Sequence, residues 1–229
     1  MVTAGFYRVH LWVLMGLNTF ASLALYTMAN TAVLKAAFGV AVALTLLSYV
    51  GAVVWLYEKA KPGIVALLLV MAGGLAGALL ATNWENFAQP WLAVADVVAS
   101  GLLMGAVMTA MLLGHWYLST PNMQLKPLQN LVAFSSAAVG VRCLVCLAGM
   151  AGFLMLGTLA ETSFLFWVFV AFRWLAGLLG VAMLVYMTQE TLKVPNTQSA
   201  TGILYAAIIL VFLGELVGQM LSADASFPL

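Results

Sequence analysis

Four charged side chains lie inside long apolar stretches of the 229-residue chain, where an ionised group needs a partner. Arg142 lies near the middle of the stretch 133–153, and Arg173 lies in a later one. An ion inside a membrane-spanning helix normally pairs with an opposite charge or faces water. Two other stretches supply the carboxylates of Asp96 and Glu215. We therefore expect these four residues to form an intramembrane charge network.

Such a network has two interpretations. Balanced pairs are the usual way in which buried charge is tolerated, and a balanced network would order a helix bundle. Ionisable groups at membrane depth also form proton and ion pathways. Both interpretations predict that Asp96, Arg142, Arg173 and Glu215 come from helices that pack together.

The two histidines of the chain, His10 and His115, form a second constellation with nearby polar side chains. Two neutral imidazoles on separate helices can hold a b-type haem. A quinone headgroup would instead use His, Tyr or Ser beside an apolar channel. A third interpretation is that the amphipathic rings simply lie at the membrane interface. The candidate pocket residues are His10, His115, Tyr49, Ser135, Tyr186 and Tyr205.

Cys143 and Cys146 form a CxxC motif beside Arg142, which is the spacing of thiol redox pairs. On a helix, however, residues three apart hold their Cβ atoms about 5–6 Å apart, whereas a disulfide needs about 3.5–4.5 Å. We therefore expect two small packing residues rather than a redox pair.

The composition places the chain in a membrane. Hydrophobic residues make up 65% of it and charged residues 7%, whereas a soluble domain has about 25% charged residues. With 8 Lys and Arg against 7 Asp and Glu, the chain offers no basic surface for nucleic acid. The sequence shows no zinc-protease, nucleophile-elbow or phosphate-loop motif, so neither a metal site nor a catalytic residue is predicted.

Seven apolar stretches are each long enough to cross a membrane, which takes about 20 helical residues. The sequence therefore predicts an all-α polytopic membrane bundle of seven transmembrane helices in a single domain, 1–229. The N-terminal residues lack a cleavage pattern, so we expect the first stretch to be retained. The predicted helices cover residues 5–28, 30–57, 62–83, 91–118, 127–157, 163–190 and 198–221.

Charges near the helix ends predict the orientation. Cations of short connections favour the cytoplasmic side, so the N-terminus is expected in the cytoplasm and the C-terminus outside. The cytoplasmic surface receives Arg8, Lys59, Lys61, Lys126 and Lys193; the other surface receives Glu85, Glu161 and Asp224, with Lys35 near it.

The predicted orientation also gives the depth of the charged residues in the membrane. At about 1.5 Å per residue, Arg142 and Glu215 lie roughly 22–24 Å from the cytoplasmic ends of their helices. Asp96 lies about 8 Å from the opposite end, which is the same level of a core about 30 Å thick.

These features lead to a functional expectation. The connections are short, so we expect a non-catalytic integral subunit of a larger oxidoreductase complex in the bacterial inner membrane. It would take part in quinone-linked electron transfer, surrounded by lipid and bound to redox subunits in a hetero-oligomer. Quinone is the first cofactor expected, and b-type haem held by His10 and His115 is the second. The alternatives are a transporter or channel that uses the intramembrane charges, and a purely structural membrane anchor.

We predict that alkaline phosphatase fused to the C-terminus is active and that a fluorescent protein fused there is dark. The phosphatase needs an oxidising compartment to form its disulfides, and the C-terminus is expected outside the cytoplasm. A dark phosphatase and a bright fluorescent protein would contradict the number or orientation of the spans.

Overall fold

The computed structural model describes residues 2–82, 84–120, 123–156, 163–194 and 196–229. Within these ranges the chain is all-α and contains no strand. Seven helices are long and apolar enough to cross a membrane, which confirms the predicted number. They are α1 (Ala4–Met28), α2 (Ala32–Leu56), α3 (Ala60–Ala81), α4 (Pro90–Ser119), α5 (Lys126–Leu156), α6 (Phe164–Lys193) and α7 (Thr197–Ala225).

The helix ends lie close to the predicted positions, and local chemistry accounts for several of them. The side chains of Thr31, Ser163 and Asn196 each accept a hydrogen bond, at 3.0–3.2 Å, from the backbone N–H three residues further on. Such caps satisfy N–H groups that a helix start leaves without a partner. Pro90 begins α4, where its missing N–H costs nothing. The predicted ends at residues 83 and 157, and Glu161, lie outside the described residues.

Helix α6 is not a regular α-helix throughout. Its middle, Arg173–Gly180, is π-helical, whereas Phe164–Phe172 and Val181–Lys193 are α-helical. π-Helical turns are rare and are frequent at functional sites. The sequence did not predict this segment, which begins at one of the four buried charges.

The chain forms two compact units, Met1–Thr82 and Asn83–Leu229. In the N-terminal unit, α2 packs against both α1 and α3. Tyr7 of α1 stacks on Trp55 of α2 with ring centroids 4.5 Å apart. The prediction that all seven helices form a single domain stays a prediction.

The C-terminal unit is a four-helix arrangement in which each helix has two neighbours. Helices α5 and α7 each pack against both α4 and α6. A short 3₁₀ helix, Trp84–Asn86, precedes α4. At one end of the unit an apolar cluster joins α4, α5, α6, α7 and the segment after α7: Leu92, Phe153, Val170, Leu221, Phe227 and Leu229.

Two pairs of glycines are each spaced by four residues, Gly214 and Gly218 on α7 and Gly101 and Gly105 on α4. Their surroundings differ. A Cβ added at Gly214 of α7 would lie 2.5 Å from the Cα atom of Gly177 of α6, so the two backbones touch. Beyond the adjacent residues and the backbone of the same helix, no described atom of the unit lies within 4 Å of a Cβ added at Gly101 or Gly105 of α4. The spacing alone therefore does not identify a packing contact.

We predict that Gly214→Ala lowers the unfolding free energy by about 1–3 kcal/mol, because the methyl group must push two backbones apart. The matched change Gly105→Ala meets open space and should instead stabilise α4 by up to about 1 kcal/mol, through helix propensity. Thermal unfolding followed by size-exclusion chromatography in detergent measures both. Equal melting temperatures for the two variants would contradict the packing described.

Candidate functional site

The four buried charges meet in the C-terminal unit, and each comes from a different helix. Asp96 lies on α4, Arg142 on α5, Arg173 on α6 and Glu215 on α7. Their exposed fractions are between 0% and 3%. We call these four residues the ion cluster.

Arg142 lies at the centre of the ion cluster and bridges two carboxylates. Its Nη1 atom donates to Oδ1 of Asp96 at 2.6 Å. Its Nε and Nη2 atoms donate to the two carboxylate oxygens of Glu215 at 3.1 and 2.7 Å. This two-point geometry is the strongest form of guanidinium–carboxylate pairing. One side chain thus connects α4, α5 and α7.

Arg173 adds the fourth helix. Its Nη2 atom donates to Oε1 of Glu215 at 3.0 Å, and its Nε atom donates to the backbone carbonyl of Leu229 at 3.1 Å. Its Nη1 atom is buried and has no hydrogen-bond partner among the described residues. Little space surrounds that atom, because a Cβ added at Gly177 or at Gly214 would lie only 3.2 Å from it.

The side-chain charges of the ion cluster balance, and every carboxylate oxygen has a hydrogen-bond donor. Two guanidinium groups face two carboxylates, and each of the four carboxylate oxygens accepts at least one hydrogen bond. The second oxygen of Asp96 accepts from the side-chain amide of Gln219 at 3.2 Å. Ser100 also hydrogen-bonds to Glu215. Because an unpaired ion is very costly at this depth, each charge of the cluster depends on the partners that it has here.

The sequence analysis did not assign to the ion cluster three residues that contact it. Each of them lies four positions after a charged residue: Ser100 after Asp96, Cys146 after Arg142 and Gln219 after Glu215. Residues four apart share one face of a helix, so this spacing was the available signal.

The two cysteines of the CxxC motif differ in environment. Cys146 is fully buried, and its sulfur lies 3.5 Å from Nη2 of Arg173 as a hydrogen-bond acceptor. Cys143 is half-buried, and both thiols are free. Cys146 is therefore a polar neighbour of the ion cluster as well as a packing residue.

A separate site on the C-terminal unit pairs His115 with Tyr205. The tyrosine hydroxyl lies 3.2 Å from Nδ1 of His115 in a hydrogen bond, and the rings meet edge to face. Both side chains are exposed, Tyr205 by 42%. Of the six candidate pocket residues, this is the pair that the structure brings into contact.

The crossing of α4 and α7 positions the His115–Tyr205 pair. A Cβ added at Gly114 would lie 2.7 Å from Oγ1 of Thr201, so the two helices approach closely there. His115 follows Gly114 directly, and Tyr205 lies one helical turn beyond Thr201. The close approach thus brings an imidazole and a phenol together on the surface of the unit.

The other two candidates in this unit lie elsewhere. Ser135 is buried and donates to the carbonyl of Leu131 in its own helix at 2.9 Å. Tyr186 lines a groove of about 200 Å³ between α5 and α6. In that groove the amide of Gln189 donates to Oγ of Ser136 at 2.7 Å.

His10 and Tyr49 belong to the N-terminal unit. His10 stacks on Phe6 with ring centroids 5.9 Å apart, and its Nδ1 atom is buried without a described hydrogen-bond partner. Tyr49 is 52% exposed and contacts Trp12 edge to face. The prediction that His10 and His115 act together stays a prediction, because they belong to different units.

Comparison of the chain with protein-family models, with curated proteins and with solved structures gave no match in any of the three.

We predict that Glu215→Gln destabilises the C-terminal unit by about 3–5 kcal/mol, because it leaves a net positive charge buried. Adding Arg173→Gln should recover most of this loss, since the remaining Arg142–Asp96 pair is neutral and intact. Adding Arg142→Gln instead should recover less, because Asp96 then loses its guanidinium partner. Thermal unfolding in detergent gives the order of the three variants.

The matched control for this series is Glu190→Gln. Glu190 pairs with Lys193 at 2.6 Å on the exposed end of α6, and such surface pairs contribute about 0–1 kcal/mol. Parental stability in Glu215→Gln, or equal recovery by the two second substitutions, would contradict the connectivity of the ion cluster.

Proposed function

We propose that the chain is an integral membrane subunit of a larger bioenergetic complex and that it binds quinone at the His115–Tyr205 pair. The pair is the observation that carries the proposal. A quinone carbonyl needs a hydrogen-bond donor at the edge of an apolar surface, and an imidazole beside a phenol offers one.

The hydrogen bond between the two rings supports a defined role for each. With the Tyr205 hydroxyl as donor, Nδ1 of His115 is an acceptor and the proton of the neutral ring lies on Nε2. His115 would then donate from Nε2 to a quinone carbonyl. Tyr205 would hold the ring in the required tautomer and orientation.

Access from the membrane also supports this proposal. His115 and Tyr205 lie on the exposed surface of helices that are long and apolar enough to span a bilayer. A lipid-dissolved quinone would reach them laterally without entering the bundle. The groove beside Tyr186 has similar chemistry and would be a secondary site.

We place the chain in the bacterial inner membrane with its N-terminus in the cytoplasm, because four exposed lysines favour that side. They lie in or beside the connections after α2, α4 and α6: Lys59, Lys61, Lys126 and Lys193. The His115–Tyr205 pair would then lie near the cytoplasmic surface, where redox subunits of a hetero-oligomer would exchange electrons with the quinone. The subunit itself would be non-catalytic.

The ion cluster would serve this subunit as charge compensation and as a structural tie. The alternative is a transporter or channel in which these charges form the pathway. The pairing of both carboxylates with guanidinium groups favours the structural role, because a proton pathway needs a carboxylate that exchanges its proton. A haem held by His115 would use the same Nε2 atom as the quinone.

We predict that His115→Ala weakens binding of a short-chain quinone about tenfold, as expected for the loss of one buried hydrogen bond. Tyr205→Phe should weaken it less, because the imidazole remains but its tautomer is no longer fixed. Quenching of tryptophan fluorescence in purified protein measures both affinities.

The matched control is Tyr26→Phe, which removes a phenol hydroxyl from an exposed tyrosine of the N-terminal unit and should leave the affinity unchanged. A dithionite-reduced minus oxidised absorption spectrum of the same sample tests for haem. Two results together would replace the quinone proposal with the transporter. The quinone affinity would be unchanged in His115→Ala, and the protein alone would move a solute across liposomes only when Asp96 is present.

A further inference from the structure

A groove of about 200 Å³ runs along the seam between α5 and α6 in the C-terminal unit. We call it the α5–α6 groove. Sites for drug-sized molecules measure about 300–1,000 Å³, so this groove suits a single slender chain. A hydrogen bond of 2.7 Å from Gln189 to Ser136 joins its two walls. The lining residues are Ser136, Val139, Ala182, Val185, Tyr186 and Gln189.

The α5–α6 groove lies at the depth of one lipid leaflet. Helix α6 ends at Lys193, and the lining residues Gln189 and Ala182 lie four and eleven positions before it. At about 1.5 Å per residue, the groove therefore extends from about 6 Å to about 16 Å below the end of the helix. One leaflet of a hydrocarbon core about 30 Å thick is about 15 Å deep. An acyl chain whose headgroup lies at the end of α6 would thus follow the groove.

Two lysines lie where the seam between α5 and α6 reaches the end of both helices. The side-chain amide of Gln129 donates to the carbonyl of Leu192 at 3.2 Å, so the start of α5 meets the end of α6 there. Lys126 begins α5 three residues before Gln129, and Lys193 follows Leu192 directly. Both lysines are exposed. The fold thus places two cations at the mouth of the groove.

Lys193 lies in the same row of side chains as the groove residue Tyr186. Tyr186, Glu190 and Lys193 are spaced by four and three residues, which puts them on one face of α6. Nζ of Lys193 donates to Oε1 of Glu190 at 2.6 Å, and Tyr186 is a further electrostatic neighbour of this amine. Exposed ion pairs are weak, so another anion can replace Glu190. The two lysines and Glu190 together leave one positive charge in excess at the mouth.

We propose that the α5–α6 groove binds one anionic phospholipid. The phosphate lies between Lys126 and Lys193, since lysines near a membrane surface attract anionic headgroups. One acyl chain lies in the groove, and the Tyr186 hydroxyl donates to an ester carbonyl. A quinone in the same groove would lack the attraction to the lysines, because it carries no charge. The lipid site does not depend on quinone binding at the His115–Tyr205 pair.

Native mass spectrometry of detergent-purified protein tests the headgroup contacts. Dioleoyl phosphatidylglycerol is the anionic probe, and dioleoyl phosphatidylcholine has the same chains without a net charge. Lys126→Gln and Lys193→Gln should each weaken one-to-one binding of phosphatidylglycerol about fivefold, because each removes one cation beside the phosphate. Glu190→Gln should strengthen that binding, because Lys193 then loses the carboxylate that competes with the phosphate.

The matched control for the lysines is Lys61→Gln, which removes an exposed cation of the N-terminal unit and should leave the affinity unchanged. A further variant tests the acyl-chain contact. Ala182→Leu fills the groove with a larger side chain and should weaken phosphatidylglycerol binding without changing any charge. Its matched control is Ala171→Leu, at an exposed position of α6 that does not line the groove.

The outcomes separate when size-exclusion chromatography shows which variants are folded. Weaker binding in both lysine variants, stronger binding in Glu190→Gln and parental binding in the controls support the lipid site. Equal affinity of the parent protein for the two lipids overturns it, as does an equal loss in Lys61→Gln, because the attraction would then be a property of the whole surface. Parental binding in folded Ala182→Leu also overturns it, because the acyl chain would then lie elsewhere.

Discussion

The two-point pairing of Arg142 with Glu215, extended to Asp96, is the interaction on which the C-terminal unit depends. A guanidinium group cannot lose its charge in a protein, so a helix that carries Arg142 into a membrane must find carboxylates there. Asp96 lies on α4, which packs against α5, Glu215 lies on α7, and Arg173 balances the remaining charge. The requirement for charge balance therefore selects which helices pack together and in what register.

Several local features of the C-terminal unit lie around Arg173. The π-helical segment Arg173–Gly180 begins at this residue, and the backbones of Gly177 and Gly214 touch beside its guanidinium. The Nε atom of Arg173 donates to the carbonyl oxygen of Leu229 rather than to a carboxylate. An unusual helix, a backbone contact and a segment folded back into the unit thus meet at one buried ion whose Nη1 atom has no described hydrogen-bond partner.

Helix number, helix ends and the members of the ion cluster were accessible from the sequence, because apolar length and the scarcity of charge are strong signals in a membrane chain. The approximate equality of depth of Arg142, Glu215 and Asp96 followed from counting residues. The π-helix, the Gly177–Gly214 contact and the folded-back segment were not accessible, because each depends on tertiary packing. The His115–Tyr205 pair was only partly accessible: the sequence offered six candidate pocket residues, and the crossing at Gly114 brings two of them into contact.

Infrared spectroscopy at neutral pH tests most directly whether the ion cluster consists of ionised, paired groups. The comparison is between the parent protein, Asp96→Asn, and the neutral double variant Glu215→Gln with Arg173→Gln. The account predicts that each variant loses absorption of an ionised carboxylate and that no protonated carboxyl band disappears. Loss of a protonated carboxyl band that shifts in heavy water would contradict it, because that residue would then carry an exchangeable proton instead of a fixed charge.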